Sequence, residues 1–252
     1  MMDELFLIGI GTGNPDHVTG QARRTLASAD LVLIPRKGAS KADLADLRRD
    51  ICAEVLPATG GPEIVEFDLP VRGSAGAYLD EVEAWHDAIA QAWVEAAGQS
   101  QADGQGARRA ALLVWGDPSL YDSTLRIAAR LDPAPKVHVV PGITALQALT
   151  AAHAIPVNEL GAPFLVTTGR RLREQGWPQG VDTVAVMLDG DCSFRTLPPE
   201  GLSIWWGAYV GMEIEILDSG PLGEVADRIG ARRAEARAAH GWIMDIYLLR
   251  RG

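Results

Sequence analysis

Residues 5–16 read LFLIGIGTGNPD, an apolar run from Leu5 to Ile10 that ends in three glycines, Gly9, Gly11 and Gly13, and then Pro15. A short apolar run closed by turn residues predicts a buried strand. Glycines at its end predict a loop whose backbone can come close to a ligand. The first ligand to test is a dinucleotide, whose pattern G-x-G-x-x-G needs a third glycine at position 14. Asn14 stands there, and Pro15 sets a turn before any helix begins. The next apolar run, LVLIPRK (Leu31 to Lys37), ends in Pro35, Arg36 and Lys37, and the nearby acid, Asp30, lies at its start. A nicotinamide ribose takes an acid at the strand's end. A nicotinamide role, of NADP type through Arg36, is therefore disfavoured; the plainer alternative is a tight turn with no ligand.

Working outward, Thr19 is placed to cap a helix from Gln21 to Ala29 ahead of the strand Leu31 to Pro35. Lys41 to Val55 predicts a helix with Leu44, Leu47, Ile51 and Val55 on one face, and Ile64 to Leu69 predicts a strand. Tyr78 to Ala97 is the clearest amphipathic helix, with Tyr78, Val82, Trp85, Ile89 and Trp93 forming a core-facing stripe. Gly98 to Arg109 has no periodicity and predicts a surface loop. A buried strand follows from Ala110 to Trp115, then a helix from Ser123 to Leu131, a strand from Val137 to Val140 and an Ala-rich helix from Thr144 to His153. The remainder changes texture. PFLVTTGRR, VDTVAVML, GLSIWWGAYV, MEIEILDSG and GWIMDIYLLR predict five strands, with a helix from Leu222 to Ala239 before the last. The alternation predicts an α/β protein, mostly parallel over residues 1–143 and mixed over residues 144–252, divided near the PGIT turn.

Composition narrows the function classes. The 252 residues are 47% hydrophobic, enough for a real core, and fit one large or two small domains. No apolar run approaches the roughly 20 residues of a membrane span, and Asp3 and Glu4 lead straight into the first strand, so no secretory signal is expected. Cys52 and Cys192 form no C-x-x-C pair and the five histidines sit at no ligand spacing, so reduced thiols in the cytoplasm and no metal are expected. The formal charge of −10 argues against nucleic acid, which needs a basic footprint. An anionic small molecule stays open, given a local basic patch.

Three loops carry the chemistry: GIGTGNPD, WGDPSLYD and PGIT, each expected at the carboxyl end of a strand, where open parallel sheets bind ligands. Together they resemble the tetrapyrrole methylase family, and the resemblance covers the whole chain. Its opening stands here as Gly9, Gly11, Thr12, Gly13, Asn14, Pro15, Thr19 and Ala29-Asp30; its central motif as Gly116-Asp117-Pro118 with Tyr121; its turn as Pro141-Gly142-Ile143-Thr144. The chain departs from it at Thr12, where most members have proline, and at Asn14, where most have aspartate. Asn14 cannot take up a proton at neutral pH, so no general base is expected there.

What the resemblance implies is a two-domain fold with a cofactor cleft between the domains, S-adenosyl-L-methionine as donor and S-adenosyl-L-homocysteine as product, an anionic tetrapyrrole substrate, and a homodimer. The segments IPRKG (Ile34 to Gly38), KADLADLRR (Lys41 to Arg49), LLVWGDPSLYDSTLRIA (Leu112 to Ala128), TTGRRL (Thr167 to Leu172), WWGAYVGM (Trp205 to Met212) and GWIMDIYLLRR (Gly241 to Arg251) resemble one branch of the family. That branch methylates ring carbon 1 of precorrin-5 and releases acetate, giving precorrin-6A in oxygen-dependent cobalamin synthesis; the alternative is methylation of a different ring carbon. By matching positions, Trp115, Gly116, Asp117, Thr144, Ala145, Met187, Leu188, Ala208 and Tyr209 are expected at the cofactor. Gly11, Thr12, Gly13, Asn14, Arg36 and Arg170 are expected at the substrate, with Lys37, Arg171 and Arg173 as further cations. Asp117, Tyr121 and Asp122 are the catalytic candidates, with Asp189 as a further loop acid. Asp117 reads more as a turn acceptor than as a base, and Tyr121 as a donor to a developing oxyanion.

Overall fold

The computed structural model describes residues 2–36, 42–57, 59–73, 78–100 and 108–252. Lys37, Gly38, Lys41 and residues 101–107 of the expected surface loop lie outside the described residues. Two compact units divide the chain, Met1–Thr144 and Ala145–Gly252.

The first unit runs β1 (Glu4–Gly9), α1 (Gly20–Ser28), β2 (Leu31–Arg36), α2 (Ala42–Val55), β3 (Glu63–Asp68), α3 (Tyr78–Gly98), β4 (Arg109–Val114), α4 (Thr124–Ala128) and β5 (Lys136–Val140). Its strands form one parallel sheet in the order β3-β2-β4-β1-β5. The near-continuous apolar runs of β1, β2 and β4 follow from burial on both faces. On one face Leu5, Leu7, Leu31, Leu33 and Leu112 pack against Ile89 and Trp93 of α3 and Ile127 of α4. On the other, Ile8, Val32, Ile34 and Leu113 pack against Leu26 of α1 and Ala45 and Ile51 of α2. Successive residues of each strand thus serve opposite layers. Thr19 caps α1, its hydroxyl accepting from Ala22 N at 3.1 Å. Because β4, β1 and β5 are neighbours, the three motif loops leave adjacent strands at the same edge of the sheet.

The second unit runs α5 (Ala145–Ala152), β6 (Phe164–Thr168), α6 (Gly169–Gln175), β7 (Thr183–Met187), β8 (Leu202–Ala208), β9 (Ile216–Pro221), α7 (Leu222–His240) and β10 (Asp245–Arg251). The sheet order is β6-β7-β10-β8-β9; β6 and β7 are parallel and the other pairs antiparallel, so the sheet is mixed. Val186, Ile204, Trp206 and Leu249 face Phe194 and the Leu222–Val225–Ile229 stripe of α7. Ala185, Ile246 and Leu248 face Leu146 and Leu149 of α5.

Three sequence expectations need correction. GRR after β6 is helical: the Thr168 hydroxyl accepts from Arg171 N at 3.4 Å and Leu172 is buried, so Arg170, Arg171 and Arg173 ride on α6 and not on a strand-end loop. Met212 to Glu215 form a turn, closed by Glu215 N donating to Met212 O at 3.0 Å, and β9 starts only at Ile216. The helix expected from Ser123 to Leu131 is regular only as Thr124–Ala128, after which tighter backbone bonds from Arg130 and Leu131 close it.

Candidate functional site

In the first unit the three loops are clasped by backbone. Gly116 N donates to Gly11 O at 2.7 Å, and Gly11 N returns to Gly116 O at 3.4 Å. A methyl group built on Gly9 would stand 2.6 Å from Gly142 N and 2.7 Å from Gly116 O, and one on Gly142 would collide with the Gly116 carbonyl oxygen. Only glycine allows strands β1, β4 and β5 to end this close together. Asp117 braces the clasp. Its Oδ2 accepts from Gly142 N at 2.9 Å, while Oδ1 accepts from Ser119 N at 2.8 Å and from the Ser119 hydroxyl. Burial pushes the Asp117 pKa up, but the bonds from Ser119 and Gly142 together outweigh it and hold it below the ordinary carboxylate value. With both oxygens engaged, Asp117 is an ionised positioning group.

The two departures in the first loop also serve its shape. Thr12 is buried with Oγ1 2.9 Å from His17 Nδ1, and Asn14 Oδ1 accepts from Asp16 N at 2.8 Å, capping a 3-10 turn over Pro15–His17. Gly13 sits between them with φ 110°, and the Thr144 Cα lies close against Gly116. In the WGDPSLYD loop, Tyr121 takes φ 51° and leaves its side chain exposed. Asp122 Oδ1 accepts from Thr124 N at 2.6 Å and from the Thr124 hydroxyl, which starts α4. Arg36, at the end of β2, pairs with Asp68 at 3.2 Å and Glu66 at 3.8 Å, both on β3.

In the second unit, Val186 and Trp206 both pair with Tyr247 across β10, so β7 and β8 finish near the same rung, at Met187 and Ala208. Leu188 follows with φ 53° and is 66% exposed. Tyr209 has φ 52°, but its ring turns into the core and its hydroxyl donates to Trp242 O at 2.5 Å, so only its backbone marks the strand end. Ala145 is the first residue of α5, and Arg170 is exposed on α6. Arg173 reaches Asp191 at 2.7 Å.

Asp189 does not stand open as a loop acid. It is 6% exposed, and its carboxylate accepts from Ser193 N and Tyr247 OH at 2.6 Å each, from the Ser193 hydroxyl at 2.8 Å and from Asp191 N at 3.1 Å. Burial pushes its pKa up, but these donors prevail and hold it low. Arg233 Nη2 donates to the Asp189 carbonyl at 2.9 Å, and Arg233 Nε donates to Asp245 at 2.9 Å, with both side chains about nine-tenths buried. Asp245 is pushed upward by burial, only partly offset by Arg233 and Trp206. A methyl on Gly169 would strike Asp189. Sequence reasoning missed Arg233, Asp245, Tyr247 and Gly169; nothing in RIGARRAEARAAH separates Arg233 from its neighbour Arg232.

Strain marks the same places. Tyr121, Leu188 and Tyr209, each a candidate from the sequence, are non-glycine residues in the left-handed region. Such conformations concentrate at functional sites.

Residues 4–226 match the family of Tetrapyrrole (Corrin/Porphyrin) Methylases. The chain is 48% identical over 256 residues to precorrin-6A synthase (deacetylating) from a Sinorhizobium species, covering 100% of this chain and 96% of that one. Among solved structures, it is similar to a cobalamin synthesis related protein from Corynebacterium diphtheriae, with 36% identity, a TM-score of 0.80, and 100% and 99% coverage. It shares the fold of uroporphyrin-III C-methyl transferase from Thermus thermophilus, solved with S-adenyl homocysteine, at 20% identity, a TM-score of 0.59, and 98% and 97% coverage.

Proposed function

The chain belongs to the tetrapyrrole methylase family, and from that premise we propose that it methylates ring carbon 1 of precorrin-5 using S-adenosyl-L-methionine, releasing acetate and giving precorrin-6A for cobalamin synthesis. The full-length likeness to the Sinorhizobium enzyme carries this reading.

The residues suit the donor. Gly116 offers bare backbone at the end of β4, and Leu188 holds an exposed apolar side chain in a conformation that costs on the order of 1 kcal/mol. S-adenosyl-L-methionine, when bound, supplies a methyl already activated on a sulfonium, leaving the protein to align the partners and exclude water. We assign Trp115, Gly116, Asp117 and Thr144 of the first unit to it, and Ala145, Met187, Leu188, Ala208 and the Tyr209 backbone of the second. Asp117 acts by holding the loops. We assign the exposed Tyr121 phenol the role of donor toward an oxyanion developing as the acetyl group leaves. Asp122 keeps Oδ2 for orienting the water that becomes part of acetate, since Oδ1 is taken by Thr124.

Gly11, Thr12, Gly13 and Asn14 shape the substrate side, and Arg36 and Arg170 grip its carboxylates. Arg36 exchanges its exposed pairs with Glu66 and Asp68 at a cost of roughly 0–1 kcal/mol. The enzyme works as a homodimer, as the family resemblance implies, and in the cytoplasm, where the unpaired Cys52 and Cys192 stay reduced.

Incubation with 13C-methyl-labelled donor and enzymatically prepared precorrin-5 tests the reading. A new methyl resonance on ring carbon 1 is expected. A methyl on another ring carbon moves the chain to a neighbouring branch, and donor binding without turnover on any precorrin removes the enzymatic reading.

A further inference from the structure

Beside the loop clasp, the first unit holds a cavity of about 240 Å³ lined by Phe67, Trp85 and Trp93 together with Arg48, Trp115 and Asp122. That is room for roughly eight waters, and less than the roughly 300 Å³ at which pockets for whole small ligands begin. It suits one arm of a larger molecule, or a fragment.

Its polar groups are out of balance. Arg48, on α2, spends Nε on the Leu113 carbonyl and Nη1 on the Leu44 carbonyl, each at 3.2 Å, and lays its guanidinium over the Trp115 ring at 4.9 Å. It makes no salt bridge among the described residues, and Nη2 has no acceptor there. Burial draws its pKa down to about 10, which still leaves it cationic at neutral pH. The nearby Cys52 thiol is raised by burial to about 11 and stays neutral. The Trp115 indole N–H is buried with no acceptor at all. Asp122 is the one carboxylate lining the cavity among the described residues, and its Oδ1 is engaged by Thr124. The Trp115 indole N–H is thus a buried donor without an acceptor, and the partly exposed Arg48 Nη2 beside it is uncommitted, at the edge of one small cavity; a bare buried donor is destabilising. The guest that answers both is compact, planar, anionic and acceptor-only, a match for guanidinium geometry.

We propose that this cavity is a subsite for one short carboxylate of acetate size, gripped by Arg48 with the Trp115 indole N–H as second donor. Its place in catalysis rests on the proposed function: the guest is either the acetate released or a carboxylate arm of the macrocycle. Its binding chemistry does not depend on that reading.

The test is a titration of the full chain, without donor or tetrapyrrole, with sodium acetate at constant ionic strength. It is read by the Trp115 Nε1–H resonance, assigned among the seven tryptophans through Trp115→Phe. Acetate moves that resonance saturably, while acetamide, neutral and of the same shape, does not. Arg48→Gln weakens acetate by about tenfold or more. Asp122→Asn, which removes the carboxylate facing the guest, tightens acetate, a gain that misfolding cannot produce. An unmoved resonance, an equal response to acetamide, or affinity indifferent to both substitutions overturns the proposal. During turnover, acetate competing with the tetrapyrrole assigns the subsite to a substrate arm; acetate lowering kcat at saturating tetrapyrrole assigns it to the product. Acetate binding without methyl transfer to precorrin-5 leaves the subsite standing and removes the functional reading; methyl transfer without acetate binding does the reverse.

Discussion

At the ends of β1, β4 and β5 the first unit gathers Gly9, Gly11, Gly116 and Gly142, with one carboxylate, Asp117, tying two loops. At the ends of β7 and β8 the second unit sets Leu188 and Tyr209 in left-handed conformations above a buried network of Asp189, Tyr247, Arg233 and Asp245. The first holds its loops by close backbone packing, which tolerates no added atoms. The second holds them by paired charge out of water, which tolerates no lost partner.

The widest test of that contrast is Arg233→Met. It leaves Asp245 buried without its cation, and a loss of about 3–5 kcal/mol is expected in urea unfolding of the full chain. A loss confined to a few tenths of a kcal/mol would break the comparison. Gly142→Ala comes next. Its methyl group meets the Gly116 carbonyl, so a loss of about 1–3 kcal/mol is expected, with weakened binding of S-adenosyl-L-homocysteine by calorimetry.

Asp117→Asn keeps the shape but loses acceptor capacity, with an expected cost of about 1–2 kcal/mol at pH 7. The sign of its pH dependence follows from its lowered pKa. The contribution is full above the unfolded carboxylate value of about 4 and is lost as the pH falls through the lower folded value. Unfolding midpoints of wild type and D117N should therefore converge on acidification; parallel curves would deny the brace its charge. The smallest stability effect belongs to Arg36→Ala, under about 1 kcal/mol because its pairs are exposed. Its KM for the tetrapyrrole should rise about tenfold if it exchanges those pairs for a substrate carboxylate, and an unchanged KM would return it to a purely local role.

The contrast also explains what the sequence could reveal. Backbone packing leaves a trace, because glycine and proline at the ends of apolar runs mark GIGTGNPD, WGDPSLYD and PGIT in the sequence itself. β1, β2, β4 and the five strands of the second unit were legible for the same reason. Paired buried charge leaves none: Asp189 read as an open loop acid, and its partners Tyr247 and Arg233 are 58 and 44 residues away. The pairing of Arg36 with Asp68 left no trace either, because the β2–β3 register that sets them opposite each other is a tertiary fact. α6 was hidden because TTGRRL carries a strand's β-branched start and one turn of helix, too short for a period to show. Strain at Tyr121, Leu188 and Tyr209 has no counterpart in residue type.

The proposed reaction couples methyl transfer to loss of an acetyl group, and its sharpest measure is the ratio of acetate released to methyl transferred. With purified protein, labelled S-adenosyl-L-methionine and precorrin-5, one acetate is expected for each methyl at every time point. Methyl transfer with no acetate, or acetate release with no donor present, would contradict it.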